Sequence, residues 1–348
     1  MSRRPVVQFG LAGLCAQSPT GDVSEFHDEL VQIVELTRLA ELEGLDSVWL
    51  SEHHFSDDCY LPSVLPMLGA LAAETERIKL STNVALAPMY QPLRLAEDCA
   101  VLDHLSDGRF MIGLGLGYRH VEFAGLGVDR SQRGAQTEEV LTVLKQAWSG
   151  KPVTTGSDAT EVIVTPPPLT PGGPAVLVGA LAEVGVRRAR TLADGWIAPL
   201  LSKVSHAEKR VRWLRRGEDD DLSGFHVGLT FTGFIGGDDA WETVSVGALH
   251  VESRYRTWLH EADDIRGLRG KQIDYGSATG GPPEHFVCGT PDDVYERLVP
   301  WVEFLRALPS GAIPHVTFRL TWPSTRPQDN AESVRLFARE VVPRLKEL

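Results

Sequence analysis

The residues best suited to chemistry stand together at Glu52-His53-His54-Phe55, just after the short apolar run Asp46 to Ser51. Imidazole titrates nearest neutral pH of all side chains, so two histidines beside a carboxylate suit proton transfer. Metal binding by Glu52, His53 and His54 fits less well. Neighbours on an extended chain point to opposite faces, so the three cannot all ligate one ion. The plain alternative is a pair of satisfied structural histidines, and residue types alone leave the two readings about even.

A second cluster is Gly113-Leu114-Gly115-Leu116-Gly117-Tyr118-Arg119-His120, with Glu122 and Phe123 behind it. Its glycines alternate strictly, unlike a dinucleotide fingerprint. They either let neighbouring strands pack closely or leave a bare backbone against which a flat ring can lie. For Arg119 and Glu122, taken singly, a solvated loop is the better expectation. Asn83 and the Gly179-Ala180 pair also fall where apolar runs end, and Trp49 is expected in the core.

These positions need elements to hold them. Expected strands cover Val6 to Leu14, Asp46 to Ser51, Ile78 to Leu86, Arg109 to Leu116, Ala175 to Val178, Gly195 to Ala198, Phe225 to Ile235 and His315 to Leu320. Between them lie expected helices at Val23 to Glu43, Pro62 to Thr75, Leu93 to Leu105, Thr137 to Trp148, Val184 to Leu192, Ser202 to Arg215, Asp238 to His260 and Thr290 to Leu305. A last helix is expected at Ala331 to Lys346. Strands alternating with helices imply a parallel sheet, and eight such units favour a closed (β/α)₈ TIM barrel. The doubly wound alternative needs a glycine-rich turn opening a helix after the first strand, and Gly10 to Cys15 does not supply one. Insertions are expected after strands 4 and 7, at Gly150 to Gly173 and Asp263 to Pro283, the second a candidate lid. One domain over residues 1–348 is expected. In this fold the loops after the strands form the active site, which is where the two clusters fall.

The net charge of -13 opposes binding to nucleic acid and to anionic membrane surfaces. No signal peptide and no membrane-length apolar run is evident. The four scattered cysteines have no metal-ligand spacing and fit reduced thiols of a cytoplasmic protein.

Gly44 to Phe55, Gln91 to Asp98 with Leu102-Asp103 and Gly108-Arg109-Phe110, Ala193 to Ile197, Gly289-Thr290-Pro291 and Val342 to Lys346 together resemble the bacterial-luciferase-like superfamily. Its members are flavin- or deazaflavin-dependent oxidoreductases. The resemblance implies a luciferase-like monooxygenase or oxidoreductase that uses reduced FMN and molecular oxygen on a small organic substrate. It also implies a separate flavin reductase and a homodimer. His53 is the implied catalytic histidine, with His54 and Glu52 beside it, and a cis peptide is implied at Asn83–Val84. Asn83, Val84, Gly115, Leu116, Tyr118, Gly179 and Ala180 would line the cofactor. The family's phosphate-gripping arginine and two hydroxyls fall on Leu116, Leu181 and Val184, leaving backbone N–H groups at Gly179, Ala180 and the next helix start. Weak FMN binding, F420 with hydride transfer, and a non-catalytic barrel subunit are each compatible with that loss.

Overall fold

A computed structural model describes residues 4–156, 158–198, 200–215, 221–261 and 281–348. The chain runs β1 (Gln8–Leu14), α1 (Val23–Leu42), β2 (Ser47–Leu50), α2 (Val64–Glu74), β3 (Lys79–Thr82), β4 (Ala85–Leu86), α3 (Pro92–Leu105) and β5 (Met111–Gly115). Then come α4 (His120–Gly125), α5 (Arg133–Trp148), β6 (Val153–Thr155), β7 (Thr160–Val162), β8 (Ala175–Gly179), α6 (Glu183–Leu192), β9 (Gly195–Ala198) and α7 (Val204–Leu214). The last part holds β10 (His226–Ile235), α8 (Ala240–Glu261), β11 (Phe286–Gly289), α9 (Pro291–Arg306), β12 (Ile313–Arg319), α10 (Pro327–Leu336), a π turn (Phe337–Val341) and α11 (Val342–Glu347).

The strands hydrogen-bond in parallel in the order β3-β2-β1-β12-β10-β9-β8-β5-β4. A parallel bridge from Leu80 to Phe110 brings β3 against the start of β5 and closes the circle. The fold is a (β/α)₈ TIM barrel. Its strands read as unbroken apolar runs because both faces are covered: β2 and β9 are buried at every residue. The third barrel strand is not continuous as expected. It breaks into β3 and β4 at Asn83–Val84, whose peptide bond is cis.

Local chemistry sets the helix ends. Asp22 caps α1 by accepting from the Ser24 N–H at 2.8 Å, and Gly44 follows the helix with φ of 78°. Thr290 and Asp293 form a capping box at α9 behind Pro291. The first insertion contains the antiparallel hairpin β6–β7. The second follows α8, and its residues 262–280, with most of the candidate lid, lie outside the described residues. Strand β11 was not expected; it pairs in parallel with the last four residues of β10.

Inside the barrel, Ala12, Trp49, Met111, Leu177 and Ile197 pack as one apolar cluster. Above it, Asn83 Nδ2 donates to Thr230 Oγ1 at 2.8 Å, and Thr317 Oγ1 donates to the same oxygen at 3.0 Å. The strands' C-terminal ends open above this tie.

Candidate active site

β2 ends at Leu50, so residues 52–55 leave the sheet at the mouth. The two histidines there take different partners. His54 Nε2 lies 3.1 Å from Glu52 Oε1, and the second Glu52 oxygen accepts from the Tyr90 hydroxyl. Leu86 N–H also donates to Glu52, so this carboxylate ties the β2 end to the β4 end. His53 turns the other way. Its Nδ1 lies 2.8 Å from Glu122 Oε1, which also accepts from His54 N–H at 3.0 Å and Arg119 Nη1 at 3.3 Å. Among the described residues no group of three or more His, Cys, Asp or Glu could hold a metal ion.

Glu122 and Arg119 overturn the solvated-loop expectation. Glu122 is fully buried and Arg119 is 4% exposed, because the chain after Tyr118 forms the short helix α4. Arg119 and Glu122 stand three apart on one face of it, and that spacing was the signal available in the sequence. Burial alone would raise the Glu122 pKa. The hydrogen bond and charge of His53, the His54 N–H and Arg119 outweigh burial and hold it below the ordinary carboxylate range. Glu122 is therefore an anion, and its geometry assigns the proton of neutral His53 to Nδ1. Nε2 is then an acceptor, and it faces the Tyr118 hydroxyl at 3.5 Å.

Four aromatic rings enclose His53: Trp258 at 4.7 Å, Tyr60 at 4.8 Å, Tyr118 at 5.6 Å and Tyr255 at 5.7 Å between centroids. Trp258 and Tyr255 come from α8, which lies over the mouth. The Arg119 guanidinium stacks on Trp258 at 4.2 Å, and the Tyr60 and Tyr255 hydroxyls meet at 2.9 Å. Further along the helix, His250 Nε2 is 3.0 Å from Asp58 Oδ2, and Arg254 approaches Asp57 and Asp58. Burial would raise Asp58, but hydrogen bonds from His250, Ser56 and Gln17, with Arg254, bring it down to about 2. His250, Arg254 and Trp258 recur every four residues along one helix face. Sequence reasoning passed over that stripe because it is not apolar throughout.

Gly115 and Gly179 do not offer bare backbone. A Cβ on Gly115 would lie 2.4 Å from Val84 Cγ2, and one on Gly179 2.8 Å from Val84 Cγ1. The close-packing expectation is what the structure shows, and half-buried Val84 presents the apolar surface there instead. Asn83 holds the barrel tie, and its carbonyl accepts from Ser51 Oγ at 3.0 Å. Leu116 and Tyr118 are half-buried at the β5 end. The Ala180 N–H is already spent on the Ile197 carbonyl at 3.1 Å, so it is not available to a phosphate. The start of α6 carries no side-chain cap. Beside it Arg210 of α7 donates to the Leu181 carbonyl at 3.1 Å, a cation that sequence reasoning missed.

The cysteines Cys15, Cys59, Cys99 and Cys288 are unpaired, the first and third buried. No described helix is long and apolar enough to cross a membrane.

Residues 7–307 match the family model of luciferase-like monooxygenases. The chain belongs to that family. Over 128 residues it is 29% identical to the oxygenase component of a flavin-dependent trigonelline monooxygenase of Acinetobacter baylyi, covering 36% of this chain and 35% of that one. It is 32% identical over 180 residues to an F420-dependent glucose-6-phosphate dehydrogenase of Microbacterium testaceum, covering 48% and 52%. The matched regions thus span about a third to a half of these relatives. The fold superposes with TM-score 0.75 and 17% identity on the oxygenating constituent of 3,6-diketocamphane monooxygenase of Pseudomonas putida in complex with FMN, covering 97% of this chain and 98% of that one.

Proposed function

We propose that this chain is the oxygenase of a two-component flavin monooxygenase, taking reduced FMN from a separate reductase and using molecular oxygen on a small organic substrate. The observation that carries this is the His53–Glu122 pair, buried at the strand ends of a luciferase-like barrel. Glu122 holds Nδ1–H, so Nε2, which faces the Tyr118 hydroxyl, is the atom left to accept a proton from the substrate, and the anion stabilises the imidazolium that forms. The aromatic wall of Tyr60, Tyr255 and Trp258 keeps water from Nε2. His54 and Glu52 position the β2 and β4 ends.

The residues present fit a flavin with a loosely held phosphate. Val84 and Tyr118 would face the ring, and the start of α6 with Arg210 would meet the phosphate. The flavin, when bound, supplies the reducing electrons that activate oxygen. Apolar Leu116, Leu181 and Val184 leave out side-chain bonds worth about 1.5 to 3 kcal/mol each, which suits a co-substrate that comes and goes.

The same apolar positions favour a second reading, hydride transfer with F420, in line with the cofactor named for the Microbacterium relative. Parallel titrations with FMN, anaerobically reduced FMN and F420, followed by fluorescence, separate the two. Reduced FMN is expected to bind most tightly and the complex to consume oxygen. Binding of F420 alone would replace the monooxygenase with the second reading. Binding of none at millimolar ligand would point to a non-catalytic barrel subunit.

A further inference from the structure

Arg319 ends β12 and points into the mouth, 5% exposed. No carboxylate among the described residues pairs with it. Its hydrogen bonds are long and go to neutral acceptors: Nη2 to Gln17 Oε1 at 3.3 Å and to Cys15 Sγ at 3.5 Å, and Nε to the Thr321 carbonyl at 3.4 Å. Nη1 makes no hydrogen bond among the described residues. The guanidinium stacks on Trp322 at 4.4 Å, which fixes its plane. A buried cation served this weakly costs several kcal/mol, so a fold that retains one has a use for it.

Carboxylates lie near Arg319, but none among the described residues touches it. Asp58 reaches it only through Gln17, whose Nε2 donates to Asp58 Oδ2 at 2.8 Å, so that the amide oxygen is turned to Arg319. Glu29 lines the same cleft without touching Arg319, and burial pushes its carboxyl up to about 7, although Arg319 itself opposes the rise. Between the β1 end, α1 and the β12 end the cleft has about 20 Å³ of room for water-sized groups and opens to solvent. That admits about two water-sized atoms, enough for the oxygens of a carboxylate whose body stays outside the cleft. It also adjoins the His53 enclosure, because Tyr60 and Tyr255 feel the Arg319 charge.

We propose that Arg319, with Gln17, forms a carboxylate-recognition subsite at the mouth, and that the substrate is an organic acid; the word substrate rests on the function proposed above. Nη1 is the open arm and Nη2 holds its partners only at 3.3 and 3.5 Å, so a carboxylate can displace them and take both arms. A phosphate dianion needs more donors than the cleft supplies and would face Glu29.

Calorimetric titration of the flavin-free protein at pH 7.5 and fixed ionic strength tests this with benzoate, its neutral isostere benzamide, and inorganic phosphate. Benzoate is expected to bind at least tenfold more tightly than benzamide, with phosphate weaker than benzoate. Arg319→Met should bring the benzoate-to-benzamide ratio close to one, and Arg319→Lys should leave it intermediate. Equal binding of the pair by wild type, no binding of either, or a preference that survives Arg319→Met would overturn the subsite. Phosphate binding more tightly than benzoate would also overturn it, giving Arg319 to a cofactor phosphate. The wild-type comparison needs no variant to fold. Because no flavin is present, a preference for benzoate in a protein without oxygenase turnover would sink the oxygenase proposal alone.

Discussion

His53 at the mouth and His315 near the barrel's other end are both buried in one barrel, and each sets one ring nitrogen 2.8 Å from a titratable partner. His53 meets Glu122, an anion held by three donors. His315 Nε2 meets His226 Nδ1 at 2.8 Å, its own Nδ1 has no partner among the described residues, and the two rings stack at 5.1 Å. Burial, the neighbouring imidazole and Lys79 push His315 well below its ordinary value. Burial, with Lys79, brings His226 down to about 4. His53 faces a carboxylate, whereas burial without one in contact holds the His226–His315 pair below the ordinary imidazole range. Burial alone therefore does not set a histidine's environment; the charge of its partner separates the two.

The largest test of that contrast is His53→Asn. Oxygen-dependent turnover with reduced FMN is expected to fall by about 10² to 10⁴-fold, with the fold retained by circular dichroism. Turnover within a few-fold of wild type would make His53 structural. Next is Glu122→Gln, which keeps the size and loses the anion. Turnover should drop roughly 10² and its pH profile should change shape, while Glu122→Asp should recover part of the loss.

At the other end the readout is stability. The folded-state value of His226 lies below its unfolded value, so the unfolded chain takes up the proton first. Nothing is lost above about pH 6.5, and stability falls as pH drops from there towards 4, by about 3 kcal/mol in all. Denaturant midpoints between pH 7.5 and 4.5 should show the fall, and His226→Gln should make it shallower, with buried His315 keeping part of it. An unchanged slope in that variant would place the acid sensitivity elsewhere. Asp58→Asn should cost about 2 kcal/mol by loosening α8 from the β2 loop, seen as faster amide exchange across 250–258. Protection equal to wild type there would show that α8 is held by other contacts. The smallest effect is expected of Tyr118→Phe, a few-fold loss in turnover, because its contact to Nε2 is long.

The barrel was legible because its eight strands are apolar runs spaced by helices, and each fell close to its expected place. The cis bond at Asn83–Val84 was implied by the family resemblance and is present. What escaped has identifiable physical causes. Phe286–Gly289 is a strand too short to stand out beside a polar, glycine-rich stretch. Helix α4 has only six residues, so Arg119 and Glu122 read as loop. The glycines at 115 and 179 were ambiguous between an open floor and close packing, and only the position of Val84 decides between them. Arg210 and Arg319 lie far in sequence from the clusters they join, and no spacing rule links them.

The central claim is that Glu122 fixes the His53 proton on Nδ1, and proton NMR of ¹⁵N-histidine-labelled protein tests it most directly. A low-field N–H signal bonded to Nδ1 is expected, absent in His53→Asn and shifted upfield or lost in Glu122→Gln. A His53 proton found on Nε2, or a signal unmoved by Glu122→Gln, would contradict it.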